Sequence, residues 1–321
     1  MIIWGLTVSD LFKAVPAGSC QAGPMVDITG ATHFLSLHGR LLDRRRLGFV
    51  LGHADADAVV AALAAYRNAD GGFAGVLEPD LRTLSSQPVG ATHAFDVLAE
   101  VGTPGGSFAR ETLDWLESVS CPDGGLPFVL PTADDAPHAP WWTPAPQPVS
   151  SLHMTAEVAA AAYRLAEFAP DLREHDWLRR ATDFCWQQLV GYKPPHPVEL
   201  RFVVEFLDAV PDHARATDAL DALRPHLPTN GILPVEIGAE GEQLTTMDLS
   251  PWPASRSRKM FEPAAVERDL ATLETGQRDD GGWTFDWASM SPAVDFETRG
   301  LMTVRALRVL HANARLTGTA P

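Results

Sequence analysis

One short turn recurs along the chain. Asp70-Gly71-Gly72-Phe73 is echoed by Asp123-Gly124-Gly125-Leu126, by the weaker Asn230-Gly231-Ile232-Leu233, and by Asp280-Gly281-Gly282-Trp283. Successive copies stand about 50 residues apart, except across one gap of about two periods, where a copy has lost its glycines. That period suits a helical hairpin with its loops, so the chain reads as a series of similar units.

The segments between the turns fall into two kinds. Asp55–Asn68, Ser107–Ser120, Trp177–Val190, Ala216–Leu227 and Pro263–Gln277 carry apolar residues at three- and four-residue intervals, the pattern of a helix with one wet face. Ile28–Leu47, Val89–Val101, Ser151–Phe168, Val198–Val210 and Ala293–Ala314 are richer in Ala, Val and Leu. Helices that are apolar all round are buried, so alternation of the two kinds predicts an inner ring wrapped by an outer one. Gly30-Ala31-Thr32-His33 recurs as Gly90-Ala91-Thr92-His93 near the starts of two of the presumed inner helices. Strands are expected to be nearly absent, and Asn230-Gly231, flanked by Pro228 and Pro234, reads as a loop.

Composition narrows the partners. Asp and Glu number 41 against 25 Lys and Arg, a formal charge of −16 that repels phosphate backbones and anionic bilayers, so nucleic acid is not an expected partner. A local group of arginines can still receive a small anion. The three cysteines, Cys20, Cys121 and Cys185, are odd in number and far apart, which argues against a disulfide framework and for a cytoplasmic setting. No apolar run reaches the roughly 18 residues of a transmembrane segment. Residues 1–24 are read as a disordered extension; they lack the basic start of a secretion signal, and Asp10 interrupts their apolar part. Residues 25–321 are read as one domain. Two Pro- and Trp-bearing stretches, Pro127–Ser150 and Gly238–Glu262, interrupt the repeat and are expected to be ordered loops that cover one mouth of the ring.

Gln277-Arg278-Asp279-Asp280-Gly281-Gly282-Trp283 resembles the Gln-Trp repeat of squalene-hopene cyclases and related terpenoid cyclases, and weaker copies extend the resemblance over most of the chain from Met25. The same repeats occur in protein prenyltransferase β subunits. The resemblance implies an all-α fold, an α/α toroid of about five to six helical hairpins, with a central cavity for a small hydrophobic or isoprenoid ligand. In such a cavity Phe128, Trp141, Trp142 and Trp252 would line the substrate, as aromatic faces do for cationic intermediates.

The catalytic signatures of these families are not matched. The Asp-x-Asp-Asp motif of proton-initiated cyclases has its nearest approach in Thr132-Ala133-Asp134-Asp135. A lone acid, Asp248, stands where an inner helix is expected and is one candidate proton donor; Glu297 is another, with Arg299 beside it as a ligand contact. Asp183-Phe184-Cys185 has the letters of half a prenyltransferase zinc site, but the matching His is missing, so no metal or other cofactor is expected. His33, His93 and His153 fall near the starts of three presumed inner helices, where they either converge on the cavity or serve locally; His93 and His153 count as ligand contacts. Glu157, Glu199, Arg201, Glu205 and Arg305 also interrupt apolar helices, and charges there must pair or face water. Three functions are therefore open: isoprenoid processing, by acid-initiated cyclisation or as a prenyl-binding transferase; non-catalytic binding of a hydrophobic ligand, or a scaffold role, on the same fold; or an unrelated enzyme that uses the cavity for another substrate. The oligomeric state is not legible.

Overall fold

The computed structural model describes residues 26–235 and 241–316; the N-terminal extension read from residues 1–24 lies outside them. The described chain is all-α. Its helices are α1 (Ile28–His38), α2 (Leu41–Val50), α3 (Ala56–Ala64), α4 (Pro88–Val101), α5 (Phe108–Val119), α6 (Leu152–Leu165), α7 (Asp176–Gln188), α8 (Pro197–Ala209), α9 (His213–Leu223), α10 (Thr246–Leu249), α11 (Pro263–Thr275) and α12 (Pro292–Ala312). Extended structure among the described residues amounts to two-residue antiparallel pairs: β1 (Leu126–Pro127) with β2 (Ser150–Ser151), and β3 (Leu233–Pro234) with β4 (Gln243–Leu244). The first pair closes the base of the Pro-rich loop. No described helix is long and apolar enough to cross a membrane.

Two helices differ from expectation. Ile28–Leu47 is not one helix but two, because Gly39 is extended (φ −74°, ψ 149°) and Arg40 leaves the helix to reach Asp43 at 2.8 Å and the Leu77 carbonyl at 2.8 Å. Glycine is a poor helix former, and a buried ion pair outweighs the few tenths of a kcal/mol of propensity lost at each neighbour. The inner helix expected around Asp248 is a single turn, α10, which Pro251 ends: the residue before a proline is pushed out of the helical region, and Ser250 has ψ 66°.

The recurring turns are docking devices. In each Asp-Gly-Gly copy the first glycine takes positive φ, +91° at Gly71, +92° at Gly124 and +91° at Gly281. Each lies against another helix, Gly71 against Glu111 of α5, Gly124 against Arg180 of α7 and Gly281 against Gly30 of α1. The Asn230 turn is tied to α11 instead, through the Arg268 guanidinium on the Asn230 carbonyl at 2.7 Å. The aspartates cap their own turns rather than the next segment: Asp70 accepts from the Gly72 amide at 3.0 Å and the Ser86 hydroxyl at 2.8 Å, and Asp123 repeats this with Gly125 and Ser150. Between the Asp123 and Asn230 turns the α7–α8 hairpin supplies the missing copy; its loop keeps one glycine at positive φ, Gly191 (φ +70°), in place of the Asp-Gly-Gly turn.

The last turn meets the first helix. Gln277 accepts from the Asp27 amide at 2.8 Å and donates to the Asp27 carbonyl at 2.8 Å, and α12 packs on both α1 and α2. Trp283 bonds within its own hairpin, its indole N–H to the Leu273 carbonyl. Along the chain α4 packs on α6 and α6 on α8, burying Phe95, Phe206 and the alanine-rich face of α6.

A Cβ on Gly281 would sit 2.2 Å from the Gly30 carbonyl oxygen, whereas one on Gly106, also at positive φ, would meet nothing within 4 Å. Gly281→Ala is expected to lower unfolding free energy by at least about 2 kcal/mol and Gly106→Ala by about 1 kcal/mol, measured by urea denaturation. Equal losses would show that the closure contact contributes nothing beyond backbone strain.

Candidate functional site

The charges that interrupt the apolar helices share faces. His93, Asp96 and Glu100 on α4, His153, Glu157 and Arg164 on α6, Arg201 and Glu205 on α8, and Arg305 and Arg308 on α12 recur at three-, four- or seven-residue steps. Those stripes meet. Asp96 takes Arg164 at 2.8 Å, Arg164 reaches Glu205 at 3.5 Å, and Glu205 takes Arg201 at 3.1 Å. Arg305 holds Asp248 at 3.2 Å, while Arg308 and Arg46 share Glu100 at 3.2 and 2.9 Å. Arg40 and Arg46 close the series on Asp43. Asp43 and Glu100 are buried, but Arg164, Arg201, Arg305 and Arg308 keep 24–29% of their side-chain surface exposed. Solvent therefore reaches these four guanidiniums. Burial pushes the Asp96 carboxyl up, but Arg164 outweighs it and holds the group below the usual carboxylate range.

At one end of these helices the lining becomes aromatic. Phe128 stacks on Trp142 at 5.0 Å between ring centres and meets His153 edge-on at 5.0 Å; His153 stacks on Phe202 at 4.5 Å, and the Arg201 guanidinium lies over Phe202 at 4.8 Å. The loop carrying Phe128 and Trp142 is fastened to the loop after residue 77. The Trp142 indole donates to Asp80 at 2.6 Å, the Ala139 amide to the Asp80 carbonyl at 2.9 Å, and the Arg82 amide to the Pro137 carbonyl at 3.0 Å. Burial, with Glu78 beside it, pushes the Asp80 carboxyl up to about 7. Glu78 itself pairs with His93 at 2.8 Å.

Three polar groups in this region have no hydrogen-bond partner for their reactive ends among the described residues. The Glu157 carboxyl comes no nearer than 3.7 Å to the His153 ring, too far for a hydrogen bond. Arg201 donates only through Nε, to Glu205, leaving both terminal nitrogens open. Burial and then Glu205 raise Glu157 well above the usual range, which favours its protonated form. Burial, followed by Arg201 and His196, lowers His153 to about 3 and leaves it neutral. A carboxylic acid, an imidazole and a guanidinium fork thus lie together beside two phenylalanine rings.

Of the residues expected at the site, Phe128, Trp142, His93 and His153 come together at this end. The others do not. Asp248 is no proton donor: burial raises it, but Arg305, Arg201 and the Thr245 cap outweigh that and keep it ionised. Glu297 is taken by Arg82 at 2.5 Å. Arg299 clamps Asp280 through two bonds of 2.7 Å and lies over Phe34, a staple of the last turn. Trp252 packs on Met247, Leu270 and Val309 beneath Arg308, near the other ends of the helices, so the two long loops do not cover one mouth. Trp141 is 45% exposed, yet its side chain, like that of Trp142, hydrogen-bonds the Asp80 carboxyl and so helps to hold the loop. His33 is exposed on α1 and does not join His93 and His153. Cys185 is buried in the core, which pushes its thiol up and leaves it unsuited to ligation. Among the described residues no three potential metal ligands gather. Asp80 is the functional group that sequence reading missed. Two open grooves of about 590 and 510 Å³ flank the Asp70 and Asp123 turns at equivalent places in successive hairpins, and belong to the repeat.

No family model matches the sequence, and no curated protein matches it significantly. A crystal structure of a protein from Actinoplanes resembles the chain with a TM-score of 0.51 and 17% identity, over 91% of this chain and 92% of the other. The likeness is one of fold.

The Asp80 carboxyl carries a sign that can be measured. Between its ordinary value of 3.8 and about 7 the unfolded chain releases the proton while the folded protein keeps it, so stability falls as pH rises through this window, by at most about 4 kcal/mol. Asp80→Asn keeps an acceptor for Trp142 and removes the titration. The variant is expected to gain on wild type in denaturation midpoint at pH 8 and not at pH 4; an equal difference at both would mean that Asp80 is not raised.

Proposed function

We propose that the chain is an α/α toroid of six hairpins, related in architecture to terpenoid cyclases and protein prenyltransferases, whose central depression takes a small isoprenoid-type ligand and offers Glu157 to it as a proton donor. The contact of the last turn with α1 and the alternation of buried and amphipathic helices support the toroid. The observation that carries the chemical part is Glu157, a buried carboxyl without a hydrogen-bond partner whose burial favours the protonated form, 3.7 Å from the His153 ring that packs on Phe128 and Phe202. The free Cys121 and Cys185 fit a reducing, cytoplasmic setting.

Glu157 suits one kind of proton transfer better than another. Protonating an unactivated alkene calls for a strong acid, and an acid whose affinity for its proton is raised is a weak one. Such a group works well as a general acid toward oxygen, protonating a leaving group or a strained ether as charge develops there. The reading is therefore an oxygenated isoprenoid rather than a bare hydrocarbon. The paired state of Asp248, Asp96 and Glu205 favours a second reading, a binding protein on the same scaffold, because a fixed ion-pair lining holds a ligand without moving protons.

The test is to incubate the protein with isoprenoid alcohols, epoxides and diphosphates from short to long, following binding by tryptophan quenching and products by mass spectrometry. Wild type should bind and convert a member of the series, and Glu157→Gln should keep binding while losing turnover by about a hundredfold or more. Binding without conversion would select the binding-protein reading. Absence of both would end the isoprenoid assignment.

A further inference from the structure

We infer that the open guanidinium fork of Arg201 is the receptor for a single carboxylate group on the ligand. The inference rests on the central site proposed above and adds the chemistry of the ligand's head. Arg201 is anchored at three points that leave its terminal nitrogens free. Its Nε is tied to Glu205 at 3.1 Å, its plane lies over Phe202 at 4.8 Å, and Phe202 is itself fixed by the His153 ring at 4.5 Å. A guanidinium held through Nε and a ring face presents its two terminal N–H groups side by side, the geometry that a planar carboxylate meets with two parallel bonds. The other arginines along this lining spend terminal nitrogens on acids or carbonyls: Arg164 on Asp96, Arg305 on Asp248 and the Met247 carbonyl, Arg308 on Glu100.

The surroundings favour an anion of low charge. Arg201 belongs to a linked group of two arginines and two acids, Arg164 and Arg201 with Asp96 and Glu205, so its neighbourhood holds no surplus of positive charge for a polyanion. A single carboxylate uses the open fork at the least cost, whereas a diphosphate brings two or more negative charges close to Glu205 and Glu78. Glu157, whose burial favours the protonated form, acts on Arg201 and can offer an O–H to the carboxylate. The apolar body of the ligand then lies along Phe202, Phe128 and Trp142.

Farnesoic acid, farnesol and farnesyl diphosphate share one body and differ in the head, and dodecanoic acid with dodecanol repeats the comparison on a plain chain. Equilibrium binding of all five is measured at pH 7 to wild type, Arg201→Gln and Arg201→Lys, each checked for native melting. Farnesoic acid is expected to bind about tenfold or more tighter than farnesol, a preference that Arg201→Gln abolishes without weakening farnesol and that Arg201→Lys restores only in part. Should either variant melt early, the wild-type ranking of the heads still decides. Equal binding of acid and alcohol, or tightest binding of the diphosphate, overturns the inference while leaving the isoprenoid site standing. A carboxylate preference seen only with the dodecyl pair sinks the isoprenoid reading and upholds the inference. If none of the five binds, both fall.

Discussion

An arginine side chain keeps its proton at any pH a protein meets, so one turned toward the middle of a helical fold must find an acid or water. This chain turns six of them toward the charged faces of α2, α4, α6, α8 and α12, and much of the interior follows from satisfying them. Arg46, Glu100 and Arg308 tie α2, α4 and α12 together, and Arg164 with Glu205 ties α4, α6 and α8. Buried ion pairs contribute little net stability against apolar residues of the same size, but breaking one is expensive, so they fix which helices face each other. Water is the other half of the same constraint: Arg164, Arg201, Arg305 and Arg308 keep about a quarter of their side-chain surface exposed, so solvent reaches the nitrogens their acids do not take.

That constraint also separates this lining from an aromatic cyclase cavity. The stacked aromatic group lies at one end, where the Pro-rich loop brings Phe128 and Trp142 to His153 and Phe202. The loop is held there by Asp80, so an acid outside the helices positions the aromatic wall. The site thus sets an aromatic wall beside a guanidinium and a carboxyl, fit for a molecule with an apolar body and a polar head.

Much of this was legible in the letters. The period of the Asp-Gly-Gly turns marked the hairpins and the decayed copy, because such turns need glycine wherever they dock. The charges on α6 and α8 stood out because Glu157 and Arg201 break apolar helical patterns. Which charges remain without a partner was not legible, since Asp248 and Glu157 look alike until the facing helix supplies Arg305 to one and only a distant imidazole to the other. The Gly-Ala-Thr-His echo misled for a related reason. Identical letters open α1 and α4, yet His33 faces solvent and His93 faces Glu78, because burial belongs to the neighbours and not to the phrase. Asp80 escaped notice because nothing in a loop's spacing tells that a tryptophan from another loop will cover it.

The clasp between Gln277 and Asp27 joins groups 250 positions apart, and it has a consequence for how the protein is made. Contacts between neighbouring hairpins can form as the chain leaves the ribosome, since each turn docks on a helix already made or next in line. The first helix is the exception. Its start is completed by a turn some 250 positions later, so α1 waits until that turn and α12 are made, with Phe34 and Leu35 uncovered by Trp283 and α12. Their joining is then a late event relative to the other hairpins, and a truncation that removes α12 would be felt first at α1.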